Sequence, residues 1–271
     1  MQLQIRPLDF ADTPWVATFP PEDWHFDFQA MLRFHLGHDY FHPLVGTLDG
    51  RPVAVGHGIR HGGIAWLGNV IVLADHRGRG FGSTLTAHLV DFMQAMGCHT
   101  QVLIATQMGA PIYRKLGFRV TGKYAFLNGV QVLGGNLDPK IGLLEPKDHP
   151  AVLELDRRAT GECREKFLAR HLSAGLVYRD LPDGEIRACY LPSLGTGSIV
   201  SSDPDAGRAM LRMKATHIAG PVVIPDANQE ARALLQTCGL IEYTSAPRMT
   251  LGPEPDWRPD MIWSRAAGYC G

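Results

Sequence analysis

The sequence predicts an α/β (α+β) protein of two domains, each built around a mixed, mostly antiparallel sheet flanked by helices. Three observations predict this class. The chain has 271 residues, more than one hydrophobic core usually serves, so about two domains are expected. Its first half alternates between strand and helix patterns and contains two hairpin signals, which favour antiparallel pairing. Its second half faintly repeats the first, which predicts a second copy of the same fold.

The elements of the first half follow from local signals. Asp12 or Thr13 can cap a first helix, Asp49-Gly50 marks a hairpin turn, and Gly97 and Gly117 end two later helices. The predicted elements are, in chain order, a strand at 3–6, a helix near residue 14, a helix at 24–36, strands at 44–48, 53–59 and 64–73, a helix to about 96, a strand at 101–105, a short helix at 109–116 and a strand at 118–126.

A glycine-rich loop, "HRGRGFGSTL" at 76–85, joins a buried strand to a helix. Gly78, Gly80 and Gly82 let backbone N–H groups approach a ligand closely. The helix that follows directs its free N–H groups and positive dipole end at the loop, which predicts an anion site. Gly82-Ser83-Thr84 lacks the lysine of a Walker A loop, and the spacing differs from the dinucleotide-binding fingerprint. A glycine-rich turn without a ligand is the remaining alternative.

Composition excludes several classes of function. The net charge of −1 provides no basic field, so we expect no nucleic-acid partner. No apolar run approaches the ~20 residues that span a bilayer, and the N-terminus lacks a secretory pattern, so we expect no membrane partner. Five scattered cysteines without a CxxC pair make a disulfide framework or a cysteine zinc site improbable. We therefore expect a cytoplasmic protein, as a monomer or a homodimer.

Two segments carry a family resemblance. "VIVLADHRGRGFG" resembles the acetyl-CoA-binding motif of the GNAT superfamily of N-acetyltransferases, Arg/Gln-x-x-Gly-x-Gly/Ala, with Arg77, Gly80 and Gly82 at its positions. "GAPIYRKLGF" at 109–118 resembles the second motif, a helix with a tyrosine four residues before Gly-Phe. The two motifs stand in the family's order, and the resemblance covers residues 1 to about 135.

The second half resembles a degenerate copy of the same domain. "PVVIPDAN" and "ALLQTCGL" echo the strand and the tyrosine helix of the first half. The position of the glycine loop falls at Ser202, where Asp203 and Asp205 would repel a pyrophosphate, and Leu235 replaces the tyrosine. The whole resembles the bacterial two-domain acetyltransferases with a degenerate C-terminal domain. We predict domains at 1–138 and 139–271, with a tail that packs back or forms a flexible end.

The resemblance implies acetyl-CoA as co-substrate, without a metal, and an acceptor amine on a small molecule or a protein. Tyr113 matches the general acid that protonates the leaving thiolate, and a strand N–H of Ile71 or Val72 would polarise the thioester carbonyl. The cofactor-binding residues implied are Val70, Ile71, Val72, Arg77, Gly78, Arg79, Gly80, Phe81, Gly82 and Ser83.

The general base is open at this stage. Some relatives carry a glutamate near Gly68-Asn69, and neither residue here can act as a base. His57 and Asp27 are the first candidates, His25 and Glu22 are further ones, and a water-mediated proton exit is an equal alternative.

The spacing of His35, His38 and His42 would suit zinc on one side of a helix. Gly37 and Pro43 weaken such a helix, so a wall of the acceptor pocket with Trp24, Phe26, Tyr40 and Phe41 is favoured. Two other functions compete with catalysis: a non-catalytic acyl-CoA sensor, and an ATP-binding protein, which the missing lysine disfavours.

Overall fold

The computed structural model describes residues 2–21, 24, 27–129, 137–180, 184–217 and 220–270. The chain divides into two compact units. The first contains residues 1–119, 249–253 and 270, and the second contains residues 120–248, 254–269 and 271.

The first unit contains the predicted alternation of strands and helices. Its strands are β1 (Gln4–Pro7), β2 (Phe41–Leu48), β3 (Arg51–His61), β4 (Ile64–Val72) and β5 (Thr100–Ile104). Its helices are α1 (Thr13–Val16), α2 (Phe28–His35), α3 (Phe81–Ala95) and α4 (Ala110–Lys115). The strands lie in the order β1-β2-β3-β4-β5, antiparallel except for β4 and β5. The fold class predicted from the sequence is confirmed.

The core of the first unit lies between this sheet and α3. The apolar positions of α3 recur at helical spacing and are buried, among them Leu85, Leu89 and Met93. Gly58 of β3 lets α3 approach, because a Cβ there would lie 2.5 Å from the sulfur of Met93. This packing holds the N-terminus of α3 beside the end of β4.

The first helix starts at Thr13 with Asp12 at its N-cap position, as predicted, but the Asp12 side chain does not cap it, and the second helix starts later than predicted. The first helix is preceded by a 3₁₀ turn whose cap is Asp9, which accepts hydrogen bonds from the N–H groups of Ala11 and Asp12. Asp12 instead pairs with Arg6 at 2.6 Å. The second helix starts at Phe28 rather than near residue 24, since Asp27 caps it; residues 22, 23, 25 and 26 lie outside the described residues.

The strands of the second unit are most of β6 (Arg119–Asn128), β7 (Ile141–Leu143), β8 (Leu176–Arg179), β9 (Ile186–Leu191), β10 (Ser198–Ser201), β11 (Val222–Pro225), most of β12 (Ile241–Leu251) and β13 (Ile262–Ser264). Its helices are α5 (His149–Thr160), α6 (Glu165–Leu168), α7 (Pro204–His217) and α8 (Gln229–Thr237). From β7 to β12, the chain repeats the order of elements that runs from β1 to β6, and β13 is an addition. One sheet has the order β13-β10-β9-β8-β7, and β12, β6 and β11 are neighbours in that order.

The units do not divide at one point of the chain. The strand β6, which ends the first half, belongs to the second unit from residue 120 onward, whereas Met249–Pro253 belongs to the first. Met249 is fully buried in the first unit's core, and Thr100 of β5 donates a hydrogen bond to the carbonyl of Pro253 at 2.8 Å. The predicted domain boundary at 138/139 therefore stays a prediction. The compact units divide the chain at other positions.

The C-terminal tail packs back on the protein through β13, and Trp263 is 2% exposed. No helix among the described residues is long and apolar enough to cross a membrane.

Candidate functional site

The glycine loop and the start of α3 form an open cradle. Gly78 and Gly80 have φ of 73° and 83°, a conformation that favours glycine. Gly80 is the N-cap of α3, and no side chain caps the helix. The N–H groups of its first turn, from Phe81 to Ser83, therefore lack a helical partner and lie beside the exposed loop. Such an arrangement is typical of a phosphate site.

The two loop arginines have different surroundings. Arg77 donates from Nε to the carbonyl of Val72 at 3.0 Å, so its side chain ties the loop to the end of β4. The guanidinium of Arg79 lies 4.9 Å from the ring centre of Phe81, at the helix start. Both residues are exposed. Arg77 therefore fastens the cradle as well as adding charge.

One edge of β4 is open beside the cradle. Its parallel pairing with β5 covers only Ile64 to Trp66, so among the described strands nothing pairs with that edge over 70–72. On its other side, the register against β3 shifts by one residue opposite Gly56. Asn69 and Val70 share that position, and Asn69 has φ of 49°. This bulge leaves one residue out of the ladder and turns main-chain groups of β4 away from β3.

Tyr113 lies on α4, close to the same end of β4. A Cβ on Gly82 would lie 3.6 Å from Val72 and 3.7 Å from Ile112, the neighbour of Tyr113. The Tyr113 ring packs edge-on to Phe118 with ring centres 5.9 Å apart. Its hydroxyl has no hydrogen-bond partner within the described part of the chain. Burial raises the pKa of Tyr113 to about 12, so the phenol keeps its proton at neutral pH.

Gly109 is a site residue that sequence reasoning did not single out. A Cβ at this position would lie 2.8 Å from the Tyr113 ring, closer than such contacts allow. Its φ of −80° is open to any residue, so the need for glycine is steric. The sequence signal was the glycine four residues before the tyrosine, interpreted only as a helix start.

His57 lies on β3 and is fully buried. Its ring centre is 4.9 Å from that of Phe41. Burial, and secondarily the nearby His35, lowers the pKa of His57 to about 3. A neutral imidazole without exposed surface is poorly placed to take a proton from a bound amine, so this position argues against His57 as the general base.

Asp27 has a local role in the structure. Its carboxylate accepts a hydrogen bond from the Ala30 N–H at 2.8 Å and caps α2. The carboxylate is therefore already engaged in a local hydrogen bond. The other two candidates, His25 and Glu22, lie outside the described residues.

The histidines at 35, 38 and 42 do not share a helix. The helix α2 ends at His35, and His42 lies on β2. His35 is buried and its Nδ1 lies 3.2 Å from the Tyr40 hydroxyl. No three His, Cys, Asp or Glu side chains among the described residues are grouped to hold a metal ion.

The aromatic residues predicted to wall an acceptor pocket separate into two groups. Tyr40 and Phe41 are each 4% exposed and belong to the core, whereas Trp24 is 40% exposed. Phe26 lies outside the described residues. Of the described residues in this set, Trp24 alone has the exposure that contact with an acceptor requires.

Among the residues described in the second unit, no glycine loop equivalent to the cradle precedes α7. At the start of α7, the Asp203 carboxylate accepts a hydrogen bond from the Ala206 N–H at 2.9 Å, and thus occupies the place of an anion. Leu235, at the tyrosine position, is fully buried.

The C-terminal strand β13 fills the corresponding opening of the second unit. It pairs antiparallel with β10, and just after it the Arg265 N–H donates to the Val223 carbonyl of β11 at 2.6 Å. Ser264 is held by Lys214, whose Nζ lies 2.7 Å from the Ser264 hydroxyl. The chain itself thus lies between the strands that correspond to β4 and β5.

Comparisons with family models match both halves of the chain. Residues 7–118 match the model described as "Acetyltransferase (GNAT) family". Residues 152–264 match "Acetyltransferase (GNAT) domain". A search of the curated proteins finds no match.

Solved structures share the fold at low sequence identity. A candidate acetyltransferase from Pyrococcus horikoshii is 20% identical, with a TM-score of 0.83 over 99% of this chain and 96% of that one. A GCN5-related N-acetyltransferase from Sphaerobacter thermophilus is 16% identical, with a TM-score of 0.65 over 94% and 98%. A tandem GNAT protein of the clavulanic acid biosynthesis pathway is 13% identical, with a TM-score of 0.61 over 93% and 100%.

Proposed function

Since the chain belongs to the GNAT family of acetyltransferases, and is an acyltransferase with two GNAT domains, we propose that it transfers acetyl from acetyl-CoA to an amine by direct attack in a ternary complex. The acceptor is an amine of a small molecule or a protein. The observation that carries the proposal is the position of Tyr113 on α4, the helix whose Ile112 lies next to Gly82 of the open cradle.

The first unit alone binds acetyl-CoA in this proposal. The N–H groups from Gly78 to Ser83 hold the pyrophosphate, and the free edge of β4 from Val70 to Val72 pairs with the pantetheine arm. Arg79 adds positive charge, and Arg77 keeps the loop against β4. Gly82 supports this assignment because its missing side chain leaves the space between Val72 and Ile112 open.

Bound acetyl-CoA supplies an activated acetyl thioester. A main-chain N–H at Ile71 or Val72, just after the bulge, donates a hydrogen bond to the carbonyl oxygen as negative charge grows on it. Tyr113 donates its proton to the departing thiolate sulfur. Since burial favours the neutral phenol, the proton is present at the start of each turnover.

The acceptor amine must lose a proton before or during attack. The burial of His57 and the capping role of Asp27 leave both poorly suited to take it. We therefore propose that this proton leaves through water. On this proposal, His57→Gln changes the rate of acetyl transfer only because it changes the stability of the fold.

The second unit binds no acetyl-CoA in this proposal. Asp203 already accepts the helix N–H that a phosphate would take, and β13 lies between β10 and β11. We also propose a cytoplasmic location, because scattered cysteines without a CxxC pair suit a reducing compartment.

A thiol-release screen over small amines and peptides tests the catalytic function. The wild-type protein and the Tyr113→Phe variant are compared at saturating acetyl-CoA. Thiol release that depends on both an amine and Tyr113 supports N-acetyl transfer. Acetyl-CoA binding without release for any amine would favour the sensor, and preferential binding of ATP would favour a nucleotide site.

A further inference from the structure

The second unit contains a cavity of about 330 Å³ at the carboxyl ends of β10 and β11. The loop that leads into α7, the loop that leads into α8 and the approach to β13 form its wall. It occupies the place in the second unit that the cradle occupies in the first. Because Asp203 and β13 fill the positions of pyrophosphate and pantetheine, its ligand must be of another kind.

The charged residues that line this cavity are acidic, and Arg187 and Arg208 lie within electrostatic range of Asp203. Asp203, Glu230 and Asp260 line it, and no lysine, arginine or histidine among the described residues does. Glu230 is bonded to Arg208, and Asp260 has only an exposed contact of 3.5 Å with Arg258. One oxygen of Asp203 caps α7, and its other oxygen accepts no hydrogen bond from a described residue. A cation is therefore the complementary ligand.

Trp263 provides a second, independent signal. Its side chain is 2% exposed and lines the cavity, and its indole N–H has no acceptor among the residues the structure describes. An oxygen or another acceptor on a ligand can take this hydrogen bond, whereas a bare cation cannot.

Together these groups define the ligand. We propose that the cavity binds a small hydroxylated amine of the amino-sugar or amino-alcohol kind. Its ammonium lies against Asp203 and Asp260, and one of its oxygens accepts the hydrogen bond from Trp263. A metal ion does not fit, because no suitable group of three metal-ligating side chains exists among the described residues. The cavity is at the lower end of the volumes typical of ligand pockets.

The Trp263 indole N–H resonance tests the proposal. Glucosamine is titrated into the full-length protein without acetyl-CoA, and the resonance is identified among the five tryptophans with Trp263→Phe. Glucose, which lacks the amine, and cyclohexylamine, which lacks the hydroxyls, are matched probes. We expect a saturable shift with glucosamine and at least about tenfold weaker binding of either control.

Two variants separate the site from its surroundings. Asp203→Asn keeps a side chain that caps α7 but removes the charge, and should weaken glucosamine binding about tenfold or more. Asp205→Asn is the matched control, because Asp205 lies on the same helix start, bonded to Arg208 and outside the cavity lining; it should bind as the wild type does. An unshifted Trp263 resonance, equal binding of glucose, or an unaffected Asp203→Asn variant would overturn the proposal.

The catalytic site is controlled for separately. Gly82→Glu, which blocks the cradle of the first unit, should leave this titration unchanged. Loss of the Trp263 shift in that variant would mean that the amine reports on the first unit, and would contradict a site in the second. If the protein transferred no acetyl group, the proposed function would fail but this titration would still decide whether the cavity binds the amine, since it uses no acetyl-CoA.

Discussion

Substitution of Gly82 tests the cradle most directly, because the position reports on ligand and fold separately. A Cβ there would lie 3.6 Å from Val72 Cγ2 and 3.7 Å from Ile112 Cδ1, ordinary contact distances. Alanine therefore fits without strain. Because glycine is an unfavourable helix residue, Gly82→Ala should raise the free energy of unfolding by about 0.5–1 kcal/mol.

Glutamate at the same position should abolish acetyl-CoA binding. Its side chain leaves the helix between Val72 and Ile112 and brings a carboxylate into the cradle. At about 4 Å from a phosphate charge, and with an effective dielectric constant of about 20, the repulsion is about 4 kcal/mol. That energy corresponds to roughly a thousandfold loss of affinity. The alanine variant, without the charge, should lose much less.

Calorimetry with acetyl-CoA measures the affinities, and thermal unfolding without ligand checks that each variant is folded. His88→Glu is the matched control, because it adds the same charge to an exposed position of the same helix, outside the cradle. We expect that control to bind acetyl-CoA within about twofold of the wild type. Undiminished affinity in a folded Gly82→Glu variant would refute the phosphate cradle.

Four further outcomes are expected. Tyr113→Phe should lower single-turnover rates about a hundredfold or more while the Kd for acetyl-CoA stays constant; a change confined to affinity would make the tyrosine structural. Gly109→Ala places a Cβ 2.8 Å from the Tyr113 ring and should lower the same rates about ten- to a hundredfold. Full activity would refute the requirement for glycine at position 109. Calorimetry should find one CoA per chain, and two equivalents would contradict the closed second unit. Met249→Ala should lower the urea-measured free energy of unfolding by about 2–5 kcal/mol, although residue 249 is far along the chain; an unchanged value would contradict its place in the first unit's core.

Local signals in the sequence were sufficient for the cradle. Gly78 and Gly80 take the left-handed conformations that only glycine adopts readily, and the apolar spacing of α3 buries the predicted face. Because these signals act within a few residues, the strand, the loop and the helix could be predicted without the rest of the chain. Residue type at Asp203 and Leu235 likewise predicted a second copy of the domain without an anion site.

Long-range contacts decided the remaining features. The sequence favoured His57 as a base because imidazole chemistry suits the role, but packing beside Phe41 buries it completely. Asp27 is a helix cap because α2 begins at the next residue, Phe28. The burial of His57 is not visible in its own neighbourhood in sequence, since burial depends on which distant segments cover it. The Asp27 cap, in contrast, is a local contact with the N–H three residues further on.

The same reason explains why the bounds of the compact units and the pairing of the C-terminal strand could not be predicted from the sequence. Residue type and spacing predicted how many domains there are and which one binds the anion. They did not indicate that Met249–Pro253 belongs to the first unit, or that β13 pairs with β10. Strand pairing joins residues far apart in the chain, and several partners satisfy the same alternation of apolar residues. The sequence by itself thus determined the strand, the glycine loop and the helix start that form the cradle, whereas only the tertiary structure decided which strand lies beside which and which side chains remain accessible.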